Sequence, residues 1–102
     1  MPMRPLQLVT IVCEALIEDR LVRDLKQIGM TGYTRSSVRG EGRRGVRDEW
    51  EGNNARIEAL VRPETAAQML ARLEAVYAPH YPVVAWVSEV QAFIAERHIE
   101  AP

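Results

Sequence analysis

Hydrophobic and polar positions follow two different periods along the chain, and the changes from one period to the other divide it into six predicted elements. Segments that are β-branched and apolar, or that alternate every second residue, predict strands. Segments with apolar residues three and four positions apart predict helices. The predicted strands cover residues 6–15, 33–39, 55–61 and 83–91, and the predicted helices cover residues 16–29 and 63–78.

Both predicted helices have recognisable ends and one apolar face. Gly29 follows the first helix as a C-terminal stop, and Pro63 opens the second at a position where its missing N–H costs nothing. The tail, about residues 92–102, is compatible with either a short helix or an edge segment. The apolar faces consist of Ile17, Leu21, Leu25 and Ile28 in the first helix and of Ala66, Leu70, Leu73 and Tyr77 in the second.

The order strand, helix, strand, strand, helix, strand is that of the ferredoxin-like fold. We therefore expect an α+β fold in one domain, residues 1–102, with both helices on one face of an antiparallel sheet and strands one and three in its centre. The other face would be uncovered and largely apolar, which favours self-association. In the first strand it would consist of one of two alternating sets, either Leu6, Leu8, Thr10 and Val12 or Val9, Ile11 and Cys13.

The composition and charge of the chain argue against several classes of function. The formal net charge of −1 argues against bulk attraction to nucleic acid or to a membrane surface. The single cysteine, Cys13, excludes an intramolecular disulfide and lies in an apolar run, so we predict that it is buried. No segment resembles a secretory signal or a membrane span, and no His, Cys and carboxylate residues have metal-ligand spacing. We therefore expect a cytoplasmic protein without a metal site.

The segment between the second and third strands is the strongest candidate for chemistry. Of the 13 basic residues 12 are arginine, and five of these fall within positions 35–47. Glycines at positions 40, 42 and 45 let the backbone turn and present N–H groups to an anion, and Arg43, Arg44 and Arg47 offer forked donors that match phosphate or carboxylate. The ordinary alternative is a set of solvated arginines. The segment is neither a Walker A loop, because it lacks the Lys and the Ser or Thr, nor a Rossmann turn, because it joins two strands.

Two segments resemble the nitrogen-regulatory PII family. Residues 32–45 read GYTRSSVRGEGRRG, which is similar to the family signature at the start of its T-loop, and residues 55–64 read ARIEALVRPE, which resembles the segment after that loop. GEGRRGVR and the later YPVVAWVSEVQ look more like the PII-like branch tied to inorganic carbon. That branch contains the bicarbonate-transporter regulator SbtB and the carboxysome-associated PII proteins (CPII). The T-loop would cover about residues 40–53.

The resemblance implies a signal-transduction protein rather than an enzyme, with no catalytic residues. It implies a homotrimer that binds adenine nucleotides in the clefts between subunits, and a T-loop whose conformation depends on the ligand. The residues around the adenine would be Thr34, Glu58 and Leu60. The phosphate-binding residues would be Gly40, Gly42, Arg43, Arg44 and, by similarity to the carbon-linked branch, Arg47.

Departures from the family pattern modify this expectation. The T-loop is short and lacks tyrosine, so control by uridylylation is not expected. The family's GDGKI segment and its C-terminal basic pair are absent, which favours ADP or AMP over ATP. Arg44 replaces a glutamine that helps to hold 2-oxoglutarate, so bicarbonate is the better candidate for a second ligand. The target would be a membrane transporter or a carboxysome-related protein that responds to energy and inorganic-carbon status.

Two other functions are compatible with this strand order. RNA-binding RRM domains share it, but they stack bases on aromatic residues of strands one and three, and these strands contain none here. A small phosphate-handling enzyme is the second alternative, although no Ser-His-Asp or Cys-His set is suggested.

For each of the two tryptophans the sequence allows two structural roles. Trp50, in the glycine-rich loop, would either fold back onto the body or anchor a partner when the loop reorders. Trp86, in the fourth strand, would belong either to the core or to the trimer interface.

Overall fold

The computed structural model describes residues 2–39 and 54–95 and has the predicted element order. The strands are β1 (Arg4–Glu14), β2 (Thr34–Val38), β3 (Asn54–Val61) and β4 (Val83–Ala92). The helices are α1 (Glu18–Ile28), which follows a 3-10 turn at Ala15–Ile17, and α2 (Pro63–Arg72), which continues as a π-helical turn at Leu73–Tyr77. The predicted T-loop, 40–53, and the tail from residue 96 lie outside the described residues.

The strands form one antiparallel sheet in the order β2-β3-β1-β4. β1 and β3 are central and pair along the whole length of β3, as predicted, and the ferredoxin-like α+β fold is confirmed. β2 is shorter than its neighbour. Its pairing runs only from Val38 opposite Asn54 to Thr34 opposite Glu58, so Ala59–Val61 extend beyond it on that edge.

The two sides of this sheet differ in what covers them, and we call them the helix face and the open face. The helix face packs against apolar residues of both helices, among them Leu21 and Met69, in one buried cluster. Its central-strand residues are Val9, Ile11 and Cys13 of β1 and Ile57, Ala59 and Val61 of β3. The open face carries Leu6, Leu8, Thr10 and Val12 of β1, Arg56, Glu58 and Leu60 of β3, and Val84 and Trp86 of β4.

Cys13 lies inside the helix face, as predicted, and is fully buried. Burial, together with the nearby charges of Glu18 and Glu14, raises the pKa of its thiol to about 12. The thiol is therefore neutral at ordinary pH and behaves as a small apolar group.

Trp86 lies on the open face, opposite Thr10, and 44% of its surface is exposed. Of the two predicted locations this excludes the core, because the pairing of β4 with β1 turns Ala85 and Val87 toward the core instead. The alternative, that Trp86 lies in an interface between copies, stays a prediction.

The helix ends follow the predicted signals. Gly29 has a φ of 133°, which L-residues with a side chain rarely adopt, and its N–H donates to the carbonyl oxygens of Leu25 and Lys26. Pro63 is the first residue of α2. The buried face of the second helical segment differs by one position from the prediction, because Met69 is fully buried and Leu70 only partly.

A polar cluster joins α1 to the end of the second helical segment. Arg72 Nε and Tyr77 Oη both donate to Asp24 Oδ2, at 2.9 and 2.8 Å. Burial opposes the ionised form of Asp24, but these hydrogen bonds outweigh it and lower the pKa of the carboxyl below its usual value. Burial, and then the same hydrogen bond, raises the pKa of Tyr77.

Arg35, the first of the five clustered arginines, has a structural role. One of its guanidinium nitrogens, Nη1, donates to Asp19 Oδ1 at 2.9 Å and to Glu18 Oε2 at 3.3 Å. This pairing with Asp19 raises the pKa of Arg35. The contacts connect the edge strand β2 to the first turn of α1.

The described residues contain neither a membrane-spanning helix nor a metal-binding cluster. No helix within 2–39 and 54–95 is long and apolar enough to span a membrane. In the same ranges, no three His, Cys, Asp or Glu side chains are grouped so that they could hold a metal ion.

Candidate functional site

A cleft of about 400 Å³ opens where β2 ends and β3 continues alone. Its walls come from β1, β3, the connection between α1 and β2, and the start of α2. Since Ala59–Val61 have no strand partner on the β2 side, some of their backbone N–H and C=O groups face this opening unpaired by the sheet. The cleft therefore combines a partly open volume with a free strand edge, whose backbone groups can form hydrogen bonds with the polar edge of a planar ligand.

The floor of the cleft is apolar. Leu6, Leu8 and Leu60 are its floor residues, all from the open face, and β1 and β3 place Leu8 directly opposite Leu60. Leu60 is 42% exposed, although it lies in a central strand. Leu8 is half-buried and Leu6 is buried, so Leu60 is the leucine that water reaches most, and an aromatic ring that covers it gains free energy.

Glu58 supplies the acidic group of the cleft. Its Oε2 accepts long hydrogen bonds from Thr10 Oγ1 and from an Arg56 guanidinium nitrogen, both at 3.4 Å. No described residue donates to its Oε1. Thr34 lies opposite Glu58 on β2 and adds a hydroxyl. At this end of the cleft, the Glu58 carboxylate can accept hydrogen bonds from an amino group of a ligand. The Thr34 hydroxyl can either donate a hydrogen bond to a ligand or accept one from it.

The connection between α1 and β2 forms the wall beside the floor, through Gly29, Thr31, Gly32 and Tyr33. Gly29 packs close to α2, since a Cβ there would lie 3.5 Å from Thr65 Cγ2. A Cβ at Gly32 would meet no described atom within 4 Å, so no close contact among the described residues requires a glycine at this position. The Lys26 ammonium lies over the Tyr33 ring, 6.0 Å from its centre, at the outer limit of a cation–π contact.

Three of the predicted nucleotide-binding residues, Thr34, Glu58 and Leu60, line this cleft together. The others lie outside the described residues, as does Trp50, and their roles stay predictions. They are Gly40, Gly42, Arg43, Arg44 and Arg47.

Sequence reasoning missed several lining residues. The sequence predicts Leu6 and Leu8 only as parts of an uncovered sheet face, and the β1–β3 register is what places them on the floor of a cleft. Arg4, Arg62 and Thr65 lie at or next to element ends, outside the predicted strands. A two-residue continuation of the β1 and β3 patterns to positions 4 and 62 is the available signal for the two arginines.

Comparison with known proteins places this architecture in a family. A model of the family described as nitrogen regulatory protein P-II matches residues 6–97. The chain belongs to this family. No curated protein sequence matched it.

Two solved structures illustrate the similarity of this P-II protein to its relatives. A PII-like signalling protein from Thermus thermophilus is 47% identical, with a TM-score of 0.81, and the match covers 97% of this chain and 100% of that one. CPII from Thiomonas intermedia, bound to ADP, AMP and bicarbonate, is 22% identical with a TM-score of 0.76, and the match covers 90% of this chain and 97% of that one. The second comparison supports the fold.

Proposed function

We propose that this P-II protein is a non-enzymatic signalling protein that binds adenine nucleotides, with AMP and ADP preferred to ATP, in the cleft at the end of β3. One observation carries the proposal: Leu60, on the open edge of β3, and Glu58, where the pairing with β2 ends, line one cleft in a chain of this family. The structure of CPII bound to ADP and AMP supports the same class of ligand.

The geometry suits an adenine base. Its ring would lie on the leucine floor, and its polar edge would meet the unpaired backbone groups of Ala59–Val61. The exocyclic amine is a donor and would be directed to Glu58 Oε1, while Thr34 would contact the base or the sugar. An adenine that covers the floor gains apolar burial, and its polar edge keeps hydrogen-bond partners, which is the condition for burying a polar ring without loss.

The phosphates would lie against the T-loop. Gly40 and Gly42 would present backbone N–H groups, and Arg43, Arg44 and Arg47 would supply guanidinium donors. A ligand changes a loop's conformation only by its different affinity for two states. Phosphate contacts formed in one loop state alone provide that difference. Trp50 would anchor the target in the ligand-bound state.

We further propose that the protein is a homotrimer whose copies meet through the open face. Val84 and Trp86 are 42% and 44% exposed on this face, next to half-buried Val12 and Leu8. Association would bury this apolar surface. The nucleotide cleft lies at the border of the same face, so a neighbouring copy would complete its walls.

Bicarbonate is the proposed second ligand, and the proposed output is a signal of energy and inorganic-carbon status to a membrane transporter or a carboxysome-related target. The presence of bicarbonate with the nucleotides in CPII supports this extension. The protein would act in the cytoplasm.

A thermal-shift panel tests the proposed function. AMP, ADP, ATP, adenosine and 2-oxoglutarate are each added with and without bicarbonate. We expect AMP and ADP to raise the unfolding midpoint, because a ligand that binds only the folded state stabilises it by mass action. ATP should have a smaller effect and 2-oxoglutarate none.

Leu60→Asp and Leu16→Asp form a matched pair for the same panel. Leu16 is 85% exposed and lies outside the cleft, so Leu16→Asp should respond to AMP like the unaltered protein. Leu60→Asp places a charge on the floor and should abolish the shift while the protein remains folded. No nucleotide response in the unaltered protein, or an equal response in both variants, would overturn the proposal.

A further inference from the structure

Thr10 brings a buried hydroxyl into an otherwise apolar row of β1. The residues that alternate on the open face of this strand are Leu6, Leu8, Thr10 and Val12. Thr10 is only 1% exposed, although no described helix covers this face. A valine has a similar shape and would bring no polar group into a buried position. Since a buried hydroxyl needs a hydrogen-bond partner, the partner indicates what Thr10 does.

The partner of Thr10 is the acidic group of the cleft. Thr10 Oγ1 donates to Glu58 Oε2 at 3.4 Å, and the two residues are directly opposite in the β1–β3 register. An Arg56 guanidinium nitrogen contacts the same oxygen at 3.4 Å, but the Arg56 side chain is 44% exposed. A buried β-branched side chain has few rotamers, whereas a long exposed one has many. Thr10 is therefore the more fixed of the two donors to Glu58.

Glu58 has a threonine on each side in its cross-strand row. Thr10 is opposite on β1 and Thr34 is opposite on β2. Thr34 is exposed and lines the cleft, whereas Thr10 is buried and does not line it. A ligand in the cleft can contact Thr34 directly, but Thr10 can act on it only through Glu58.

The two oxygens of the Glu58 carboxylate have different roles as a result. Both described donors contact Oε2, so Oε1 stays available to a ligand. A carboxylate only accepts hydrogen bonds. It therefore favours an amino group on the ligand and disfavours a carbonyl oxygen in the same place, where two acceptors would face each other. This discrimination requires that the carboxylate is kept in position.

We propose that Thr10 is a positioning residue that holds Glu58 Oε2 and thereby sets the preference of the cleft for an aminopurine over an oxopurine. The inference rests on the proposed binding of adenine nucleotides. Hydrogen bonds of functional groups are often long in the free protein and tighten when the ligand binds. The 3.4 Å contact between Thr10 and Glu58 is of this kind.

Titration calorimetry with AMP and IMP compares Thr10→Val with Thr10→Ser. Thr10→Val keeps the shape of the side chain and loses the hydroxyl, whereas Thr10→Ser keeps the hydroxyl and loses a methyl group. IMP carries a carbonyl oxygen in place of the amino group of AMP. Thr10→Val is also combined with Glu58→Ala to complete a double-mutant cycle. Circular dichroism verifies that each variant is folded.

We expect the unaltered protein to bind AMP at least about tenfold more tightly than IMP. Thr10→Val should lower the affinity for AMP about fivefold, because a hydrogen bond that positions the acceptor is lost, and should leave the affinity for IMP unchanged. Thr10→Ser should keep the preference for AMP. In the Glu58→Ala background, Thr10→Val should change AMP affinity by less than about twofold, since no carboxylate is left to position.

Equal affinities for AMP and IMP in the unaltered protein would overturn the inference, and so would an unchanged preference in Thr10→Val. An equal loss for AMP and IMP, a loss that Thr10→Ser shares, or a loss that persists in the Glu58→Ala background would show a packing defect and would also overturn it. In each of these cases AMP still binds, and the proposed function stands. If the unaltered protein bound neither AMP nor IMP, the proposed function itself would fail, and the inference with it.

Discussion

The helix face and the open face are built from neighbouring residues of the same strands, yet they serve different purposes. On β1, Val9 is fully buried against the helices, while Val12, three residues further, is half-buried on the side that no described element covers. On β3, Ile57 is fully buried and Leu60 is 42% exposed. The helix face holds the protomer together, and the open face leaves exposed the apolar surface that we propose contacts a nucleotide and other copies.

The polar groups divide in the same way. On the helix side, Asp24 receives two hydrogen bonds shorter than 3 Å from Arg72 and Tyr77. On the open side, Glu58 has only 3.4 Å contacts with Thr10 and Arg56. The carboxylate that stabilises the fold therefore has the shorter hydrogen bonds, whereas Glu58, which we propose receives a ligand, has only long ones.

The largest predicted effect comes from placing the same charge on the helix face and on the open face of a single strand, β1. Val9→Asp would bury a carboxylate without a partner on the helix face, at a cost of several kcal/mol. This is comparable with the whole stability of a small domain, so we expect the far-ultraviolet circular dichroism of the folded protein to be lost. Val12→Asp, the same substitution on the open face, should keep that spectrum. Loss of structure in both variants would contradict a sheet that helices cover on one face only.

Val12→Asp also tests what the open face contacts. If copies associate through this face, a charge there opposes association, and the mass in sedimentation equilibrium should fall to about that of one chain. Glu74→Lys, an exposed change on the π-helical turn, is the control and should leave the assembly unchanged. A Val12→Asp protein that keeps the mass of the unaltered assembly would exclude the open face as the interface.

A smaller predicted effect concerns the Asp24 carboxylate and its contribution to the free energy of unfolding at different pH values. The pKa of Asp24 is lowered from its ordinary value of 3.8, so its ionised form stabilises the fold above that pH, and the contribution is lost as the pH falls through the lower folded pKa. At neutral pH, Asp24→Asn should reduce the free energy of unfolding by about 1–2 kcal/mol. The difference from the unaltered protein should shrink below pH 3.8.

The control for this measurement is Asp19→Asn. Its carboxylate pairs with Arg35, but the side chain is 78% exposed, so we expect a change of about 0.5 kcal/mol or less. Urea unfolding at several pH values measures both variants. An Asp24→Asn effect that is equal at every pH, or no larger than that of Asp19→Asn, would refute the assignment of Asp24 to the stabilising cluster.

The order of elements could be predicted from sequence because each element has its own period and the helices have boundary signals, Gly29 at the end of α1 and Pro63 at the start of α2. The orientation of β1 could not be predicted, since both alternating sets are apolar. Only pairing with β3, whose charged residues alternate with apolar ones, places Thr10 opposite Glu58 on the open face.

The candidate site was predictable only in part for a similar reason. Thr34, Glu58 and Leu60 belong to a recognisable motif, and the fold brings them into one cleft. Arg4 and Arg62 are far apart in sequence and lie outside the predicted strands. They join the cleft because two strands pair antiparallel, so the start of one meets the end of the other.

Titration calorimetry of AMP and ADP tests the central claim, that the open edge of β3 is a nucleotide site, most directly. The unaltered protein should bind with one nucleotide per chain at saturation. Glu58→Gln should weaken binding about tenfold, because the charged acceptor is lost, while Glu74→Gln should leave it unchanged. The absence of saturable binding in the unaltered protein, or equal affinities in the two variants, would contradict the account.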